Sequence, residues 1–419
     1  MSISAVKQER RFCQEKTAMA PSVVSKAITL MLMQLTQRSA ILLVSVVTYL
    51  LLSSLSRAEA KLSTLDKLFS FGDSNNDTGN SATLTSNSSG STLTFPPPPY
   101  FNGRASNGLL AQEYLWSLFN PSSPGLIPSY LGGTNYAISG ATTGSINFNT
   151  ISPVVPDSLK PAFLNLGASA QLNRFLLDQP TFIPDFTLFY ISTFPNDVTH
   201  WLSTSQAPGG IGLDSGTVTG LPAAIIGSDQ SAISRLVGNG VKNTELLISA
   251  LHNQGAKHFL VPSVIDLGVT PLFRNYPDPS VPALISQMSA SYNLALAGVL
   301  IDLQNQLPGL DITFFRSDLL LADVIQNPAT YGFANVTEAC LDIATGEICS
   351  SPDRWLFWDY FHPTTAVQKS IANLMFDQIH LVPAPAPFPA IYIAFCFSRS
   401  LRRRIKTCDT ALAGKSKHS

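Results

Sequence analysis

The chain has 419 residues, of which 45% are apolar and only 13% charged, with a formal net charge of -1. That length holds one large α/β domain plus tails, or at most two or three domains, and the near-zero charge excludes bulk electrostatic attraction to nucleic acid or to an acidic surface. No repeat at solenoid spacing is present. The low charged share, about half that of a typical soluble protein, fits either an exported enzyme poor in Lys and Glu or an apolar surface that meets lipid.

Residues 40–55, AILLVSVVTYLLLSSL, form an apolar run with Arg38 just before it and Ala58-Glu59-Ala60 after it. Basic flank, apolar run and small-residue site predict a secretory signal cleaved after Ala60. The alternative is a membrane anchor, but the run is shorter than the roughly 20 residues a spanning helix needs. The 39 residues ahead of the run make a long leader, and Met31 or Met33 would be a more ordinary start. The predicted organisation is a leader over 1–60, one domain over 61–382 and a tail over 383–419.

In the body, short apolar runs alternate with amphipathic stretches, the pattern of an α/β fold with a mostly parallel sheet. Strands are predicted at Leu68–Phe71, Thr134–Ile138, Phe186–Ser192, His258–Pro262 and Ile312–Phe315. Helices are predicted at Leu109–Phe119, Ser169–Leu177, Ser228–Gln254, Val281–Gln306 and Thr365–Gln378. Ser81–Leu93, rich in Ser, Asn and Thr, reads as a flexible loop that the prolines Pro96–Pro99 stiffen before Tyr100. Ser203–Gly220 reads as a second loop.

Of five cysteines, only Cys340 and Cys349 fall in the body of the domain. Export implies an oxidising compartment, where so close a pair can form a disulfide; the alternative is two free buried thiols. No Cys/His cluster has metal-ligand spacing. The tail combines Pro383-Ala384-Pro385-Ala386-Pro387, the apolar stretch Ala390–Phe397 and a basic cluster around Arg402-Arg403-Arg404. It resembles a bacterial PEP-CTERM sorting tail without the Pro-Glu-Pro signature, or it is a disordered basic tail. Asn76, Asn87 and Asn335 stand in N-x-S/T sequons.

The first predicted strand runs into Gly72-Asp73-Ser74-Asn75-Asn76-Asp77-Thr78-Gly79-Asn80. A serine past a strand, among small turn formers, can be held exposed at the sheet edge with backbone N–H groups nearby. The segment also reads as an Asx-rich turn with no chemistry. A serine nucleophile needs a base. His200, His252 and His258 lie in or near predicted elements, where a structural role is the simpler reading. His362 differs, standing three residues after Asp359 in Trp358-Asp359-Tyr360-Phe361-His362-Pro363-Thr364. A carboxylate at that spacing can fix the imidazole tautomer and stabilise the imidazolium. Gly140 and Asn196, each after a predicted strand, offer an unobstructed backbone N–H and a neutral amide, both suited to an oxyanion. Each alone is more often just a turn.

Taken together and in this order, FGDSNNDTGN, NYAISGATTG, FPND and FWDYFHPT resemble the four blocks of the GDSL, or SGNH, hydrolase family, and the resemblance covers nearly all of residues 65–380. It implies a three-layer α/β/α sandwich, flavodoxin-like, with about five parallel strands. It further implies Ser74 as nucleophile and oxyanion donor, Gly140 and Asn196 as further donors, Asp359 and His362 completing the triad, and no metal or organic cofactor. Asn75 replaces the family's leucine, and Phe194 stands where the third block begins with glycine. The implied activity is hydrolysis of a small-molecule or lipid carboxylic ester by a secreted or cell-surface enzyme. Alternatives are an acyltransferase on the same acyl-enzyme and a ligand-binding homologue impaired by Phe194. Tyr100, Phe101, Trp201, Trp355 and Trp358 are candidate linings of the acyl or sugar site, or core and loop packing.

Overall fold

The computed structural model describes residue 62 and residues 64–123, 125–204 and 230–380. The predicted signal with its cleavage site, the alternative starts at Met31 and Met33, most of the Ser203–Gly220 loop and the C-terminal tail lie outside the described residues.

Four strands, β1 (Lys67–Gly72), β2 (Thr187–Ser192), β3 (His258–Pro262) and β4 (Asp311–Phe315), form one parallel sheet in the order β1-β2-β3-β4. Their apolar runs are continuous because both faces are covered. Successive side chains point to opposite sides. Phe69, Phe71, Phe189, Ile191, Phe259 and Val261 face one core. Leu68, Leu188, Tyr190, Leu260 and Phe315 face the other.

Eight helices of two turns or more are described: α1 (Asn80–Ser88), α2 (Ala111–Phe119), α3 (Ala168–Asp178), α4 (Pro195–Thr204), α5 (Gln230–Asn253), α6 (Ser280–Gln306), α7 (Ser317–Gln326) and α8 (Thr365–His380). Helices α3, α5 and α6 close the first core, while α2 and α8 close the second. The result is the expected three-layer α/β/α sandwich. Helix α6 is long and apolar enough to cross a membrane, but Leu284, Ile285, Met288, Tyr292 and Leu296 are buried in the first core, which accounts for that composition.

Two expectations are corrected. The sheet has four strands, and Thr134–Ile138 is not the fifth. That segment runs along the free edge of β1 through Ser70 N–H to Thr134 O, Tyr136 N–H to Ser70 O and Ile138 N–H to Gly72 O, yet forms only an isolated bridge. The Asn80 amide takes the carbonyls of Asn135 and Ala137, both at 2.8 Å, so buried side chains replace a further ladder. Counting this edge segment, the spatial order is that of a flavodoxin-like sheet, with its switch point beside β1.

The second correction concerns Ser81–Leu93, whose first part is helix α1 and not a loop. Asp77 accepts from the N–H groups of Gly79, Asn80 and Ser81 at 2.8, 2.6 and 3.1 Å, satisfying the donors a helix start leaves open. Thr83 and Thr85 turn their hydroxyls back onto helix carbonyls. Local polarity argued against a helix, and the buried cap outweighed it.

A small second sheet pairs β5 (Asn335–Ala339) with β6 (Trp355–Phe357), neither foreseen. Between them, Cys340 and Cys349 are joined by a disulfide, with Cα atoms 4.8 Å apart.

Candidate active site

Strand β1 ends at Gly72, whose φ is 152°. A Cβ there would lie 2.2 Å from the Ser192 carbonyl, so only glycine lets β1 and β2 stay paired up to the turn. The Gln171 amide closes on both backbone groups of the same residue, accepting from Gly72 N–H at 2.9 Å and donating to Gly72 O at 2.7 Å. The chain then turns through Asn76 N–H to Asp73 O, 3.0 Å. This leaves Ser74 at the C-terminal edge of the sheet, beside the switch point where ligands bind in open α/β sheets.

His362 reaches Ser74 from the other end of the chain. Cys340 N–H to Phe357 O and Leu341 N–H to Trp358 O tie the disulfide loop to β6 and the residue after it, and Trp358 N–H to His362 O closes the turn. Inside that turn Asp359 Oδ1 accepts from the N–H groups of Phe361 and His362, both at 2.7 Å. Asp359 Oδ2 lies 2.8 Å from His362 Nδ1, and His362 Nε2 lies 2.7 Å from Ser74 Oγ. Tyr100 Oη donates to Asp359 Oδ2 at 2.6 Å.

Burial alone would raise the Asp359 pKa. The charge and hydrogen bond of His362, the Tyr100 hydroxyl and the backbone more than offset it and hold the carboxyl below its usual range. Burial likewise works to lower His362, but Asp359, with a smaller push from Asp73, holds the imidazole above its usual value. An imidazole between a carboxylate and a serine hydroxyl can take the hydroxyl proton on Nε2 while Nδ1–H faces the carboxylate.

The other segments meet the same point. Gly140 has φ of 80°, and a Cβ there would fall 2.5 Å from Asn147 Oδ1. Its neighbour Ser139 is held by Asp77, whose Oδ2 accepts from Ser139 N–H at 2.9 Å. Asn196, in the first turn of α4, donates to Ala141 O at 3.2 Å and also lies against the Asp73 carboxyl. The N–H groups of Ser74 and Gly140 find no acceptor among the described residues. Ser74, Gly140, Asn196, Asp359 and His362 all border one cavity of about 400 Å³.

That cavity is mostly apolar, with walls that include Phe95, Phe148, Leu202, Phe273, Tyr276 and Phe361. Of the aromatics singled out in the sequence only Tyr100 lines it. Trp201 is buried in the first core, Trp355 and Trp358 pack around the disulfide, and Phe101 is exposed. The other lining aromatics come from four separate segments, of which only Tyr360 and Phe361 fall in a stretch marked in the sequence, FWDYFHPT. His200 sits buried on α4 beside Thr204, His252 Nδ1 bonds Ala256 O, and His258 Nδ1 bonds Asp311. No lysine or arginine lines the cavity among the described residues. No group of three His, Cys, Asp or Glu is placed to hold a metal among them either.

Two carboxylates behind the site escaped the sequence reading. Burial pushes Asp73 up to about 6, and its Oδ2 has no hydrogen-bond partner. Burial pushes Asp197 up to about 7, against hydrogen bonds from the Thr143 hydroxyl and N–H. Their signal was adjacency, since each directly neighbours a candidate site residue.

The sequence profile described as GDSL-like Lipase/Acylhydrolase matches residues 68–375. The chain belongs to this family. Two GDSL esterase/lipases of Arabidopsis thaliana are 34% and 28% identical over 148 and 180 residues. Those alignments cover 32% and 38% of this chain, and 39% and 48% of the relatives, so less than half of each relative's length is spanned. GDSL esterase/lipase 5 of Arabidopsis thaliana is 23% identical over 354 residues, covering 75% of this chain and 83% of the relative. Phe194 stands two residues ahead of Asn196, in the segment where the sequence resemblance leads one to expect glycine. Phe194 is fully buried with φ of 95° and its ring against Tyr292.

Proposed function

We propose that this protein is an exported serine hydrolase that cleaves neutral carboxylic esters through an acyl-enzyme. The observation that carries the reading is the hydrogen-bonded line Asp359–His362–Ser74 opening into an apolar cavity. Ser74 Oγ attacks the ester carbonyl as its proton passes to His362 Nε2, and Asp359 stabilises the imidazolium. The N–H groups of Ser74 and Gly140 and the Asn196 amide receive the oxyanion. The tetrahedral intermediate collapses, and the alcohol leaves with the proton from His362. Water, deprotonated by His362, then attacks the acyl carbon and frees the acid and Ser74. These residues need no metal or organic cofactor for that chemistry.

An apolar cavity without a lysine or arginine on its described walls supports an uncharged small-molecule or lipid ester as substrate, since an anionic group would be buried unpaired. Membership of the family and its esterase/lipase relatives support the reaction class. Residues 40–60 support export and a secreted or cell-surface location, and the basic tail is proposed to associate with a membrane or cell surface. Nucleic acid is not proposed as a partner.

The test is hydrolysis of p-nitrophenyl esters from acetate to palmitate by the protein and its Ser74→Ala variant. Loss of turnover in the variant supports the reading, and equal background rates in both across the series count against it. Product analysis with a competing alcohol separates hydrolysis from acyl transfer.

A further inference from the structure

We propose that Tyr100 sets the pH at which His362 becomes an active base, by donating its hydroxyl proton to the carboxylate oxygen that faces the imidazole. This rests on the serine-hydrolase reading above.

Both oxygens of Asp359 lie within reach of His362 Nδ1, and their other partners differ. Oδ1 is anchored by two backbone N–H groups, those of Phe361 and His362. Oδ2 is the nearer to His362 Nδ1, at 2.8 Å against 3.0 Å for Oδ1, and it alone accepts the Tyr100 hydroxyl, at 2.6 Å. The carboxylate therefore keeps its place without Tyr100. What the hydroxyl adds is a second donor on the atom that stabilises the imidazolium. A donor there draws on the same negative charge and weakens its pull on the His362 proton.

Tyr100 is well held for this. Its N–H donates to Pro97 O at 3.1 Å, at the end of the proline run, and its ring meets Trp358 edge-on with centroids 6.4 Å apart. Burial, then the adjacent Asp359, push its own pKa far above the usual phenol value, so it stays a donor throughout the working range. The other groups facing His362 and Asp359 are Asp73 and the Ser74 hydroxyl from the end of β1, and Tyr360 from the same turn, whose hydroxyl bonds Asp342. Among the described residues no lysine or arginine lines the cavity to replace the tyrosine as a donor. Tyr100 is thus a positioning residue that acts through Asp359.

The experiment compares the full chain with Tyr100→Phe, which keeps the ring and its Trp358 contact. The His362 imidazole is titrated by NMR, its signals identified by their loss in His362→Gln, and the pH profile of kcat/KM is recorded on a p-nitrophenyl ester. Tyr100→Phe is expected to raise the His362 midpoint and the acid limb together by roughly half a unit, a fraction of what a hydrogen bond to a charged group is worth. An unchanged or lowered midpoint overturns the inference, including the case where thermal stability falls and the midpoint does not move. The titration needs no turnover. A protein inactive on every ester would tell against the hydrolase reading, while the midpoint would still decide the role of Tyr100.

Discussion

The ring of Phe194 lies flat on that of Tyr292, with centroids 3.9 Å apart and planes 9° from parallel. The backbone of Phe194 sits at φ of 95°, a region that bulky residues avoid. Gly240 makes the stack possible, because a Cβ there would come 2.5 Å from the Phe194 ring. Strain of this kind costs on the order of 1–3 kcal/mol. Burying the ring returns up to about 3 kcal/mol, and stacking adds about 1 kcal/mol. A residue that glycine would replace without strain is therefore held by its side chain, two positions before Asn196.

This predicts an inverted order of substitutions. Phe194→Ala loses the ring and keeps the strain, so it should destabilise by about 3 kcal/mol or more. Phe194→Gly loses the ring but relaxes the backbone, and should cost about 1–2 kcal/mol less. Denaturant unfolding of the two variants measures the difference. Equal losses would mean that the backbone is not strained.

Asn196 borders the cavity, its side-chain amide donating to Ala141 O and also lying against the Asp73 carboxyl, whose pKa it helps hold down. Asn196→Ala should lower kcat on the order of a hundred- to a thousand-fold and leave KM nearly unchanged, since the interaction forms only in the transition state. A change confined to KM would instead assign Asn196 to ground-state binding.

In the proposed mechanism His362 must be neutral to accept the Ser74 proton, and its pKa is held above 6.5 chiefly by Asp359 against the opposing effect of burial. Activity should therefore rise as pH increases through a midpoint above 6.5. In Asp359→Asn the raising charge is gone, so the midpoint should fall below 6.5 while the plateau drops by about 10⁴-fold through loss of the correct tautomer. The pH profiles of kcat/KM for both proteins test this.

The buried carboxyls give the stability a slope of its own. Asp73 and Asp197 have native pKa values of about 6 and about 7, raised by burial from 3.8. Between pH 4 and 7 the native state thus binds more protons than the unfolded chain, and stability falls as pH rises. Asp73 alone should contribute at most about 3 kcal/mol of that loss. Asp359 works the other way, since its lowered pKa adds stability that is lost only in strong acid. Thermal unfolding from pH 4 to 8 should show the decline, flatter in Asp73→Asn. A wild-type curve that rises over that range would contradict it.

The sheet was legible wherever a strand is buried on both faces. β1, β2, β3 and β4 each coincide with a predicted apolar run to within a residue. At the free edge the rule failed. Thr134–Ile138 has the composition of a strand, but its carbonyls are taken by the buried amide of Asn80, which lies far from it in the chain. Helix α1 was missed for a different reason: its start is capped by Asp77, only two to four residues away, a local signal hidden by the polar, loop-like composition of the stretch.

For the site, the residues alone left Ser74, Gly140 and Asn196 open between chemistry and plain turns, and Asp359 three residues before His362 was the one telling local pattern; the resemblance to the GDSL family is what joined the five. The sequence by itself also determined the layered α/β class, through the alternation of strand and helix periods. Only the tertiary structure decided that Tyr100 is a further donor to Asp359 across 259 residues of sequence, and which aromatics wall the cavity. Local patterns report what neighbouring residues impose on one another. Hydrogen bonds and burial between distant segments exist only once the sheet has brought its strand ends together.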